Sequence, residues 1–495
     1  MRAAWRAADI RAAEESLMST LPDGALMQRA ATGLARRCAL LLAERGGIYG
    51  SRVHLVVGAG NNGGDALFAG ARLAQRGATV SAMLLTPERA HGPGLAAFRQ
   101  AGGKVVSSLP STVDMVVDGI VGIGARGGLR GAAAEAVQGL SDVRASSGER
   151  PVIVSVDVPS GVEVDSGAVE GPAVRADVTV TFGCLKPALV VGPAAPLAGV
   201  VDVVDIGLPW LNASPAVWVP DATDVARWWP DARHESDKYT RGVVGVATGS
   251  PAFPGAALMS VAGALAGPAG MVRYAGAEAD SVARAHPSVV VANRVGDAGR
   301  VQAWVCGCGL GTDEWARDEV RAVLGSSVPV VLDADALTML VDGTMASWLR
   351  GRDAPTVVTP HDREFARLAG EQPGPDRVES ALQLAARTGV VVLLKGDRTI
   401  VATPDGTAWA NPTGTPALAS AGTGDVLAGL LGSLLAGGLP ADRAAIAAAF
   451  VHGLAGRHAA AALGPGAAPV TALDVAGGLR PVIASLARSR VLPAS

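Results

Sequence analysis

Aromatic side chains are scarce in this chain of 495 residues, where Phe, Trp and Tyr together make up 4%. Hydrophobic residues still reach 49%, so the cores must be packed from Ala, Val and Leu around 64 glycines. That composition belongs to α/β proteins rather than to disordered or disulfide-stapled ones. Cysteine is scarcer: Cys38, Cys184, Cys306 and Cys308 are too few and too scattered for a disulfide framework. No His or Cys cluster accompanies the Cys306-Gly-Cys308 pair, as zinc would need. A reducing, cytoplasmic setting is expected. Charge of one sign is also lacking, with 42 Lys and Arg against 45 Asp and Glu and a net charge of −3. This excludes a basic footprint for nucleic acid or an anionic membrane. The amino-terminal MRAAWRAADIRAAEE has no apolar core, so no signal peptide is expected. The charge-free stretch 243–272 is long enough for a membrane span, but Pro251, Pro254 and Pro268 interrupt it. A loop followed by a buried helix fits it better.

At ~150 residues per domain the length predicts two or three units. The first half alternates apolar β-rich runs (RVHLVVG, TVSAMLL, VDMVVDG, PVIVSVD, ADVTVTF) with helical patterns. Such alternation predicts a parallel sheet covered by helices on both faces. Periodicity lapses over 208–224, LPWLNASPAVWVPDATD, which marks a domain boundary. Alternation then resumes through RGVVGVATGS, VQAWVCGCGLG, PVVLDAD, PTVVTPH, VVVLLKGD and TIVAT, ending in an Ala-rich helical region. The two halves share no motif in order, so the chain reads as a fusion of two different α/β domains, 1–215 and 222–495.

Residues 58–65, GAGNNGGD, follow an apolar run and precede ALFAGARLA, which has helical spacing. Gly58, Gly60 and Gly63 spell the dinucleotide fingerprint G-x-G-x-x-G. A redox-cofactor reading fails on two counts. The second strand ends in Thr86 and Pro87 instead of an acidic residue, and Asp65, in the first turn of the expected helix, would repel a pyrophosphate. Asn61, Asn62, Asp118 and Ser160 offer hard oxygens suited to an alkali or alkaline-earth cation, although Asn and Asp also shape tight turns.

GAGNNGGDALFAGARLA, DGIVGIGARGGL, DVPSGVEVDSG and VDIGLP stand in the order found in NAD(P)H-hydrate epimerases, and LMQRAATGLA resembles that family's entry helix. The likeness spans most of residues 1–215. It implies a Rossmann-like domain whose substrate pocket is lined by Asn61, Asn62, Gly63, Gly64 and Asp65 and by Gly122, Ile123, Gly124, Ala125, Arg126, Gly127 and Gly128. It also implies a potassium ion held by Asn62, Asp118 and Ser160, and substrate contact by Asp157, the candidate acid/base. Exchange of the R and S hydrates needs proton movement at the C6 hydroxyl, which a strand-end carboxylate can support. Lys186 stands where the family usually has a Lys-Pro; its ammonium either assists that step or belongs to a solvated loop. Ala66, where the family more often has glycine, bears on pocket shape.

In the second half ALASAGTGDVLAG puts Gly422, Thr423, Gly424 and Asp425 at the start of an apolar helix, where backbone N–H groups can approach phosphate. Alone, GTGD also reads as a glycine-rich helix cap. KYTRG, CGLG, VVLDADAL, TPHDRE, LLKGDRTIV and NPTGTPALASAGTGDVLAG, however, follow the order of nucleotide-dependent NAD(P)H-hydrate dehydratases over nearly all of 234–460. This resemblance implies a ribokinase-like fold, with Ala256, Gly309 and His361 contacting the hydrated dinucleotide and Asp425 acting as base. It implies nucleotide contacts from Lys395, Gly396, Asp397, Arg398, Thr399 and Gly424. Without the likeness, His361 reads as a turn residue after Pro360. Thr415, Ala417 and Ala421 depart from the family's usual Asn, Gly and Gly. Bacterial members resemble ADP-dependent enzymes, so ADP with Mg²⁺ is expected, the products being AMP and phosphate. The expected partners are the small molecules NADHX, NADPHX and ADP, with no nucleic acid or membrane, in a homo-oligomer. The alternatives are a ribokinase-superfamily kinase of another small molecule, and a non-catalytic dinucleotide-binding first half.

Overall fold

A computed structural model describes residues 1–124, 127–146, 150–209, 213–341, 347, 349–462 and 468–489. The chain forms two compact α/β units, Ala3–Val217 and Trp218–Ser495, the latter also holding Met1 and Arg2.

The first unit is built on a seven-stranded sheet in the order 104–106, 79–84, 52–57, 115–119, 152–156, 178–182, 200–204, with every pairing parallel. Side-chain alternation sorts the apolar residues onto its two faces. Val53, Leu55, Val57, Met115 and Val117 pack on one side, chiefly with Leu34, Leu67 and Phe98 from helices. Val56, Val116 and Ile153 pack on the other, with Val137 and Leu140 of the helix Ala132–Ser146. Strand order reverses direction between Arg52–Val57 and Met115–Gly119, so their carboxyl ends open a crevice of the kind where ligands bind in such sheets. Glycine is required at its floor: a Cβ on Gly58 would lie 1.9 Å from the carbonyl oxygen of Ile120. Gly58→Ala is therefore expected to destabilise this unit by about 3 kcal/mol, read as a lowered denaturation midpoint.

One expectation is corrected. The helix expected to carry Asp65 in its first turn begins earlier, at Asn61, and runs to Gln75. Asp65 therefore lies beyond the first turn and does not occupy the positive end of the helix dipole. Intrinsic preference hid the start, because Asn and Gly are poor helix formers and only the packing of Gly63 and Gly64 allows them.

In the second unit, strands 391–394, 356–358, 330–332, 303–306, 243–247, 271–275 and 290–292 lie side by side in parallel, with the antiparallel hairpin 400–402 and 408–410 added beyond 391–394. The charge-free stretch resolves into strand Val243–Ala247, helix Pro254–Ala266 and strand Met271–Ala275. No helix among the described residues is long and apolar enough to cross a membrane. Helix Pro254–Ala266 packs against Thr423–Ala436 through glycines. A Cβ on Gly263 would meet Val426 O at 2.1 Å, and one on Gly429 would meet Ser260 O at 1.9 Å. This close crossing sets the start of Thr423–Ala436 beside Met259, partway along Pro254–Ala266.

Two candidate active sites at strand ends

Among the described residues only Asp157 and Ala334 combine a side chain with positive φ, at 67° and 49°. Such strain persists where the surroundings over-determine it and collects at functional sites. One outlier is a predicted catalytic residue; the other directly follows Asp333.

Asp157 ends the strand Val152–Val156 and is 5% exposed. Its Oδ1 accepts hydrogen bonds from Lys186 Nζ at 2.5 Å, Thr181 Oγ1 at 3.1 Å and the Phe182 N–H at 3.3 Å. Lys186, 1% exposed, also donates to Thr181 Oγ1 and Phe182 O, both at 2.8 Å. It is thus a buried ion-pair partner and no solvated loop lysine. All three of its donors are used within 4 to 29 residues of its own position.

Asn62 knits the crevice together, donating through Nδ2 to Val156 O at 2.7 Å and to Val121 O at 3.1 Å. Gly122 leaves room for this side chain: a Cβ there would stand 2.2 Å from Asn62 Oδ1 and displace the amide. Asp118 is fully buried and accepts from Ser160 Oγ (2.6 Å), Ser160 N (2.9 Å), Ser155 Oγ (2.8 Å) and Ile120 N (3.3 Å). Burial pushes its carboxyl above the usual range, partly offset by the Ser160 and Ser155 donors. Asn62, Asp118 and Ser160 therefore share one oxygen-rich locus, linked by Val121, whose N–H donates to Ser160 Oγ at 3.2 Å. Asp65 is 5% exposed, and its Oδ1 has no hydrogen-bond partner among the described residues. Arg11 Nη2 donates to Ile123 O at 2.6 Å, and Gly128 packs on Glu170 O. Ala125 and Arg126 lie outside the described residues. Sequence reasoning missed Glu14, on the helix Ala7–Met18, whose carboxyl is pushed up by burial and then by Asp157. Nothing in the local pattern marks it, because only the fold brings that helix to the crevice.

In the second unit Gly422 caps the helix Thr423–Ala436 in a left-handed conformation, and Asp425 stands in the first turn. The Cys308 thiol, Asp333 and Asp425 offer atoms within 4.8 Å of one another. Lys395 Nζ meets Asp333 Oδ1 at 2.7 Å and Glu364 Oε2 at 3.7 Å, and a Cβ on Gly424 would lie 3.6 Å from that ammonium. Burial opposes the charge on Lys395, but Asp333 and Glu364 outweigh it and hold its pKa above the ordinary value. Burial and the nearby Asp333 push the Asp425 carboxyl up to about 7. Gly309, at φ 57°, faces Ala256: a Cβ added to it would be 2.7 Å from that of Ala256. His361 caps the helix Asp362–Ala369, its Nδ1 accepting from Arg363 N (3.0 Å) and Glu364 N (3.3 Å), while Glu364 accepts from His361 N at 2.8 Å. Glu364 thereby joins the predicted substrate side to the lysine. Thr399 Oγ1 closes the turn onto Gly396 O, Arg398 donates to Pro412 O, and Asp397 meets Arg398 Nε at 3.7 Å. Asp333 and Glu364 were not singled out from sequence, although VVLDADAL and TPHDRE contain them.

Residues 23–188 match the YjeF-related protein N-terminus family, and 244–476 match the NAD(P)H-hydrate dehydratase family. The bifunctional NAD(P)H-hydrate repair enzyme Nnr of Mycobacterium leprae (strain TN) is 47% identical over 487 residues, covering 98% of this chain and 100% of that one. The chain belongs to the bifunctional NAD(P)H-hydrate repair enzymes. Another member, from Mycobacterium tuberculosis (strain ATCC 25618 / H37Rv), is 48% identical over 407 residues, covering 82% of this chain and 83% of its own. A solved ADP/ATP-dependent NAD(P)H-hydrate dehydratase from Bacillus subtilis, co-crystallised with ATP/Mg²⁺, is 28% identical with a TM-score of 0.47, covering 54% of this chain and 97% of that one.

Proposed function

We propose that this repair enzyme epimerises hydrated NAD(P)H at the crevice of residues 1–215 and dehydrates the S hydrate at the Asp425 site of residues 222–495. The observation that carries the reading is a buried carboxylate paired with a lysine at strand ends in each unit: Asp157 with Lys186, and Asp333 with the half-buried Lys395 beside Asp425.

In the first site Asp157 takes and returns the C6 hydroxyl proton, and Lys186 holds its carboxylate in place through the contact at Oδ1. The residues there fit an alkali cation. Asp118 is a buried acid whose hydrogen-bond partners among the described residues include no basic side chain, and Asn62 and Ser160 add neutral oxygens. Asn62, Asp118 and Ser160 would hold K⁺, which supplies fixed positive charge beside the pocket. Residues 61–65 and 122–128 line the substrate.

In the second site, hydroxide is a poor leaving group, so Asp425 removes the C6 hydroxyl proton as that oxygen attacks the terminal phosphate of ADP. AMP departs, and phosphate then leaves the ring, pushed by the ring nitrogen, which restores NAD(P)H. Lys395 to Thr399 and Gly424 bind the nucleotide, with the backbone N–H groups of the loop and the helix N-terminus on phosphate. Ala256, Gly309 and His361 seat the hydrate. Asp333 and Glu364 are hard-oxygen donors that fit Mg²⁺ arriving on phosphates, whereas the Cys308 thiol, pushed well up by burial, does not. Magnesium supplies charge neutralisation of the phosphates.

Nucleotide dependence tests this reading. With S hydrate, ADP should restore the absorbance of the reduced nicotinamide and release AMP and phosphate in equal amounts, faster than ATP does. Conversion at the same rate without nucleotide would remove the phosphorylation step.

A further inference from the structure

The crevice of the first unit holds two aspartates in unlike settings. Asp157 is an ion-pair partner, with Lys186 Nζ 2.5 Å from its Oδ1. Asp65 is as deeply buried, yet its Oδ1 is sealed from solvent and meets no donor among the described residues. The fold ties their two turns together, because Asn62, one helical turn before Asp65, bonds to the carbonyl of Val156, the residue before Asp157. Asp157 and Glu14 lie near enough for their charges to act on Asp65, while Lys186 and Arg11 act on Glu14 from behind. Next along the helix, His91 packs over Gly64, its Nδ1 accepting from Gly94 N. Among the described residues no basic side chain is bonded to Asp65 Oδ1. Burial, then the charges of Asp157 and Glu14, push its carboxyl well above the usual range.

A carboxyl paired with a lysine and a second, equally buried carboxyl whose Oδ1 meets no donor are placed to divide base and acid roles between them. Opening the carbinolamine needs both. Breaking the bond between C6 and N1 puts an electron pair on a nitrogen that leaves poorly unless it is protonated. We propose that Asp65 is the general acid that gives its proton to the ring nitrogen while Asp157 removes the hydroxyl proton; this rests on the epimerase reading above. The O–H electron pair becomes the second bond of an aldehyde, the C6–N1 bond breaks, and N1 takes the Asp65 proton. After rotation about C5–C6 the nitrogen adds to the other face of the carbonyl. Its proton returns to Asp65 and that on Asp157 returns to oxygen, so protons and electrons balance over the cycle.

The test compares Asp65→Asn and Asp157→Asn in the full chain on R hydrate with ADP, above the uncatalysed exchange. S hydrate, consumed in the other unit, is the internal control. Asp65→Asn should lower kcat for the R isomer by about 100-fold, leave KM within about threefold, and leave S conversion alone. A raised KM at unchanged kcat would overturn the acid role in favour of simple binding. Full R activity in Asp65→Asn with loss in Asp157→Asn would overturn it while sparing the epimerase reading; full activity in both would sink that reading too. Should Asp65→Asn lose its fold, the unaltered protein decides. Its R-isomer kcat should fall as pH rises and the acid ionises, and a level alkaline limb would contradict the proposal.

Discussion

Asp425→Asn should lower nucleotide-dependent dehydration of the S hydrate by about 10³-fold while leaving exchange of the R and S forms intact. The substitution keeps the size of the side chain, so the loop from Gly422 and its contacts with Met259 and Ala472 should stand. What is lost is a base raised to about 7 by burial and by Asp333, poised to take a hydroxyl proton near neutrality. The sign follows from that value. Below pH 7 the carboxyl is protonated and cannot act as base, so kcat/KM of the unaltered enzyme should climb tenfold per pH unit and level off above about 7. Steady-state rates across pH check both statements, and the residual activity of Asp425→Asn should lack that limb.

Lys186→Met should damage the first unit twice. It strips the counter-charge from an aspartate that is 5% exposed, and breaking a buried pair from one side costs about 3–5 kcal/mol because a charge is left uncompensated. It also frees Thr181 Oγ1 and Phe182 O, which the ammonium holds. Thermal or denaturant unfolding should reveal the loss, and R-hydrate conversion should disappear while S-hydrate conversion continues. Changing Asp157 to Asn as well should return part of the stability without the activity. Unaltered melting in Lys186→Met would mean that the ammonium is not the partner described here.

Much of this architecture is legible in the residues. Apolar runs such as RVHLVV and MVVDG announce buried parallel strands, and the acids or glycines that follow them mark the ligand end of each sheet. The short strands Lys104–Val106, Val290–Ala292 and Ala408–Ala410 carry too few apolar positions to stand out, and Val290 and Val291 remain exposed. The position of Asp425 at the start of an apolar helix can be read from ALASAGTGDVLAG. That Asp333 reaches Lys395 across 62 residues cannot, because it depends on which strand ends the sheet sets side by side. Lys186 shows the same limit: a lysine before a proline reads as loop, and only the turn of Asp157 against Thr181 and Phe182 explains its burial. Glu14 is invisible for the same reason.

The central claim is that one chain repairs both stereoisomers at two sites. Its most direct test is to give an excess of ADP and a mixture of R and S hydrates, on a timescale short against their spontaneous exchange, and to follow the amount of reduced nicotinamide recovered. The intact enzyme should recover all of the hydrate, and Asp157→Ala should stop at the S fraction. Recovery limited to the S fraction by the intact enzyme, or complete rapid recovery by Asp157→Ala, would contradict the account.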